Sequence, residues 1–263
     1  TQNFTTATDA YNIAIGHNAG LAVTTGLQNT LIGGLAGDAL TTGASNVAVG
    51  YSALSTEDAH GRNTAVGYKT LETLNAGADG NNTAVGYFAG QSVTTGVENT
   101  LVGSLAGDAL DVGNSNVAMG YYALSGDTKG DRAVAIGLNA LATQNFTTTT
   151  DNYNVGVGYQ AGHVITTGVE NTLIGGLVGD SLIDADENTA VGKAALTSDT
   201  YGSRSTALGQ GTLAAQNFTT ATQTYNTAVG FQAGNAVTTG IQNTLIGPKA
   251  GDALTDADFN VAV

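Results

Sequence analysis

The chain has 263 residues, with 38 Gly, one Pro, no Cys and no Trp; 41% hydrophobic against 11% charged residues makes it too apolar for a disordered segment. Seven basic and 21 acidic side chains give a formal charge of −14, which repels phosphate backbones and anionic lipid and so argues against nucleic acid or a membrane surface as partner. Without Cys there is no disulfide framework, thiolate metal site or Cys nucleophile, and no apolar run is long enough to span a bilayer.

The first predicted strand lies in the phrase NIAIG at 12–16. It returns as NTLIG at 29–33, NVAVG at 46–50, NTAVG at 63–67 and 82–86, and onward to NTLIG at 243–247 and a truncated NVAV at 260–263. From Gly16 the closing glycines are spaced 17, 17, 17, 19, then 17, 17, 17, 21 twice, then 17. Such a period is the signature of a solenoid whose coils stack as parallel strands. The expectation is an all-β, parallel β-solenoid of about 15 coils of 17–21 residues, continuous over 1–263, with four coils to a higher-order unit. At about 4.8 Å per coil it makes a rod roughly 70 Å long. The pattern is interrupted at residue 1 and at Val263, so the segment reads as a slice of a longer array whose open β edges invite end-to-end pairing.

Each phrase has readable columns. One and three residues before the glycine stand Val, Ile, Leu, Met or Thr, from Ile13 and Ile15 to Thr244 and Ile246. These strand-forming side chains share a face, taken as the inside of the coil. Between them stands Ala, Leu or Gly, never a polar residue, so the opposite face is expected to be dry as well. Ala14, Leu31, Ala48, Ala65, Leu101, Leu173 and Leu245 therefore become the candidate lateral interface with another copy; the alternative is a single broad coil whose second layer covers them. Four residues before the glycine is Asn in twelve of fourteen coils, Ala133 and Ser205 being the exceptions; stacked amides can bond along a parallel ladder.

The loops vary more than the strands. TQNFTTATDAY, TQNFTTTTDNY and AQNFTTATQTY carry the candidate ligand or subunit contacts Asn3, Phe4, Asn145, Phe146, Asn217 and Phe218; the competing reading is a lid that tucks Phe over the core. Arg62, Arg132 and Arg204 each follow an acid by five residues, Glu57, Asp127 and Asp199, and are expected to pair across a loop. The densest acidic patch, Asp184, Asp186 and Glu187, is the candidate for a cation such as calcium. Asp38, Asp108, Asp180 and Asp252 recur once per four coils and read as turn caps. His17, His60 and His163 occupy different coil positions and show no converging partners in the sequence. No nucleophile elbow or clustered carboxylate breaks the repeat, so no enzyme activity and no cofactor are expected.

The recurrent NVAVG or NTAVG phrase, with Gly at the corner and Ala between two β-branched residues, resembles the head repeat of the trimeric autotransporter adhesins along essentially the whole chain; similar repeats occur in phage tail fibres and other virion appendages. The resemblance implies a left-handed parallel β-roll, a side-by-side homotrimer and an extracellular or virion-surface location, with attachment to a protein or glycan surface. An ice-binding solenoid is the rival binding module, set back because VTTG recurs only once per four coils.

Overall fold

The computed structural model describes residues 5–263. Among these the chain is all β with no helix. Fifteen three- or two-residue strands join in chain order into one parallel sheet, one strand per coil of a β-solenoid. The register follows the phrase: Thr30 lies opposite Val47, and Val47 opposite Thr64. Where a coil is longer, as from Thr64 to Thr83 or from Thr206 to Thr227, the extra residues loop out and the pairing stays in register.

The chain divides into two compact units, one of 1–131 with 147–150 and one of 132–146 with 151–263. Both are built by the same rules. The closing glycine takes a φ that L side chains avoid, +134° at Gly33, and a Cβ there would run into the carbonyl oxygen of Gly50 on the next coil. Only glycine lets successive backbones approach at this corner.

The face expected to form the lateral interface is instead the interior. Leu31, Ala48, Ala65 and Leu101 in the first unit, and Leu173 and Leu245 in the second, are sealed within the chain's own coil. Ala14 is uncovered because its coil is the first with a described strand. A strand three residues long points only its central side chain inward, and the coil is narrow. Ala fits, and Leu fits where a neighbouring corner gives up its side chain. A Cβ on Gly20 would lie 2.7 Å from the Leu31 side chain and one on Gly37 2.8 Å from it; Gly90 and Gly107 make the same room for Leu101. In the coils of Ala48 and Ala65, buried Leu54 and Leu71 stand at the corner positions and refill the volume.

The asparagine column is buried; neighbouring amides bond along the ladder as expected, Asn171 to Asn154 and Asn188 to Asn171 both at 3.2 Å, and they bond to backbone as well. Each Asn Oδ1 accepts the backbone N–H of the next Asn, as Asn29 does from Asn46 at 3.0 Å and Asn82 from Asn99 at 2.9 Å. Along most of the column Nδ2 also donates to a carbonyl 14 residues on, Asn29 to Gly43 at 2.8 Å and Asn188 to Gly202 at 2.9 Å, whereas Asn63 reaches back to Gly61 at 3.2 Å. Side chains thus satisfy turn backbone that no strand could reach.

Candidate interaction face and loop sites

With the small column inside, the β-branched columns face outward. In the first unit Val85 and Met119 are 37% and 41% exposed; in the second Ile174 and Ile246 are 40% and 43% exposed. Both flanking columns are free of charge in every coil: Val, Ile, Leu or Met beside the glycine, and Thr, Val or Ile two residues earlier. Each unit therefore presents a flat, uncharged ladder of aliphatic and threonine side chains. The sequence shows that both faces of the strand are apolar; closure of the coil decides which one is outside.

Beside this face, Tyr51, Tyr68 and Tyr87 stack ring on ring at 5.6 and 5.5 Å, with Phe88 edge-on to Tyr68 and Tyr87. The three tyrosines are exposed, held in line by the residue after the corner glycine.

The long loops turn inward. Phe146 and Phe218 are only 5% and 7% exposed, which makes them lids on the core; Asn145 and Asn217 stay exposed, and Asn3 and Phe4 lie outside the described residues. The preceding glutamine explains the loop. Gln216 donates to Ser205 Oγ at 2.9 Å and accepts from Asn226 Nδ2 at 2.9 Å, bridging the step where Ser205 replaces an asparagine. Gln144 likewise accepts from Asn154 at 2.9 Å, in the coil after Ala133. The signal was present in the sequence: the QNFTT loops at 144–148 and 216–220 follow the two coils that lack their asparagine.

The acid and arginine of each loop part company. Glu57 and Asp199 are fully buried, Asp199 accepting the backbone N–H groups of Thr200, Gly202 and Phe218 at 2.9–3.1 Å. Asp127 accepts from Gly130 N–H at 3.1 Å. The arginines reach other partners: Arg62 pairs with Asp79 at 3.2 Å, Arg132 with Asp151 and Tyr153, and Arg204 with Glu187 at 3.0 Å and the ring of Tyr225. A turn full of unpaired N–H groups outbids an exposed guanidinium for a short carboxylate.

Asp184, Asp186 and Glu187 are not brought together as a cation cage. Asp184 accepts from Thr167 Oγ1 at 2.7 Å, Asp186 from the Val169 N–H at 2.9 Å, and Glu187 is held by Arg204. One group the sequence reading passed over does converge: Glu57, Asp58 and His60 bring one donor atom each within 4.8 Å of one another.

No protein-family model matches the chain, and no curated protein or solved structure does either.

Within the aspartate column, Asp180 accepts from Thr197 Oγ1 at 2.6 Å, whereas Asp38 and Asp108 each hold a buried Oδ1 without a partner. Desolvation by burial pushes both carboxyls above their ordinary value, against a hydrogen bond from their own backbone. A raised native value means that the folded state favours the proton, so this contribution to stability is full at acid pH and is lost as pH rises through the raised value. Asp108→Asn is therefore expected to stabilise the protein at pH 7 and to have little effect near pH 3. Urea unfolding at the two pH values checks this, and equal effects at both would contradict it.

Proposed function

We propose that the chain is a non-catalytic segment of a fibre on the outside of a cell or virus particle, a left-handed β-roll packed side by side with two further copies. The four-coil unit of the sequence sets the spacing at which its loops are offered for attachment to a protein or glycan surface. The observation that carries this reading is the uncharged ladder of exposed Val, Ile, Met and Thr on each unit. A periodic ladder finds an identical period on another copy of itself, and closing two such faces removes apolar area from water over many coils. Every charge on the strand faces is absent from these two columns, so the −14 of each copy can stay at the periphery. Threefold rather than twofold packing, like the handedness, rests on the resemblance to adhesin heads and tail fibres.

Sedimentation equilibrium of the 263-residue chain is expected to give three times its 26.1 kDa. Val85→Lys combined with Ile174→Lys is expected to yield folded monomers with an unchanged far-ultraviolet spectrum, because both side chains point outward. A wild type that is monomeric at high concentration would overturn the lateral assembly; a monomer that also shows thermal hysteresis would assign the threonine and valine ladder to ice instead.

A further inference from the structure

We propose that Glu57, Asp58 and His60 form a binding site for a divalent transition metal of the zinc class. Three corresponding loops occur, STEDAHGR at 55–62, SGDTKGDR at 125–132 and TSDTYGSR at 197–204. The second and third share Asp-Thr-x-Gly, in which the aspartate caps the turn by accepting the glycine N–H, at 3.1 Å from both Gly130 and Gly202. The first loop departs at all three positions, to Glu-Asp-x-His. Capping needs only the carboxylate, and Glu57 still provides it: Oε1 accepts the His60 N–H and Oε2 the Ala76 N–H, both at 3.1 Å. The second carboxylate and the imidazole are surplus to that task.

Their placement is that of a ligand set. His60 Nδ1 is enclosed, makes no hydrogen bond, and lies 3.5 Å from Glu57 Oε1. With bonds of about 2.0–2.1 Å to zinc, donors 3.5 Å apart subtend roughly 115° at the ion, close to the tetrahedral angle. Asp58 completes a set whose donors lie within 4.8 Å of one another. The backbone beneath is already held: the Asp58 carbonyl accepts the N–H and hydroxyl of Thr41 at 2.6 and 3.0 Å, and the His60 carbonyl accepts Asn46 Nδ2 at 3.1 Å. An imidazole with two carboxylates suits zinc and its neighbours; calcium and magnesium prefer oxygen alone. Ionised carboxylates and a neutral imidazole bind the ion, and the fourth position is open to solvent, where Asp58 is exposed.

The test is titration of the full chain with Zn2+, and with Co2+ as a spectroscopic probe. The expected result is saturable uptake of one ion per chain, a rise in Tm with Zn2+, and a shift of the His60 ring resonances without those of His17 and His163. Asp58→Thr with His60→Gly restores two of the three positions to the residues that the other two loops carry, keeps the Glu57 cap, and is expected to fold as the wild type does without metal, while losing both the uptake and the Tm rise. No saturable uptake by the wild type, equal uptake by the double variant, or equal competition by Ca2+ would each overturn the site.

Discussion

Asn99→Ala is expected to destabilise the first unit by about 2–5 kcal/mol, since two buried backbone groups lose their partners at about 1–3 kcal/mol each. Asn99 Oδ1 accepts the N–H of Asn116 at 3.0 Å and its Nδ2 donates to the carbonyl of Gly113 at 2.9 Å, and both receiving residues are buried. The chain itself shows what tolerating the change requires. After Ala133, the Asn154 N–H turns to Asn152 Oδ1 at 2.9 Å and Gln144 takes up the Asn154 amide. The loop after Asn99 holds no such glutamine; it runs LAGDALDVGNS to Ser115. Denaturant unfolding of the variant against wild type measures the loss, and a change below about 0.5 kcal/mol would mean that water replaces both bonds.

The second large effect is expected to change sign with its background. Leu101→Ala empties the centre of a sealed coil and is expected to cost about 2–5 kcal/mol. Gly107→Leu alone is expected to destabilise by about 1–3 kcal/mol, as its Cβ would lie 2.8 Å from Leu101 Cδ2 and 2.9 Å from Leu110 Cδ1. Together they rebuild the arrangement that Ala65, Leu71 and Leu74 already adopt, all three buried, with Leu71 at a φ of 49° against 54° for Gly107. The double variant is therefore expected to recover much of the loss, with a coupling of about 1–3 kcal/mol in urea unfolding of the four proteins. Strictly additive effects would show that strand and corner do not share one interior volume.

Both predictions concern columns that are visible in the sequence, but they were visible to different depths. The asparagine period announces a ladder; that it bonds to backbone as well as to itself follows from how the coil turns, which brings Gly43 and Gly113 carbonyls to the amides. The alternation of Gly20 and Gly37 with Leu54 and Leu71 is plain in the sequence, yet its cause is a volume traded with Leu31 across the interior. The loop phenylalanines were open between display and lid, because a Phe amid threonines serves either; Phe146 and Phe218 are lids. Arg204 and Asp199 looked like a pair at a distance of five residues and instead serve different neighbours, since the turn between them buries one and exposes the other.

The residues alone determined that the chain is all β, that it coils, where each strand of the fifteen-stranded sheet lies and how those strands register, because spacings of 17 to 21 residues leave one parallel pairing for every phrase. Three-residue strands that are apolar on both faces carry no polarity contrast, so which face is the core could be decided only when the coil closed around the smaller side chains. The same closure set Glu57 and His60 against each other, 3.5 Å apart, although nothing in their individual columns marked them as partners. Local period is written along the chain, whereas inside and outside, and the meeting of loop side chains, are properties of the closed coil.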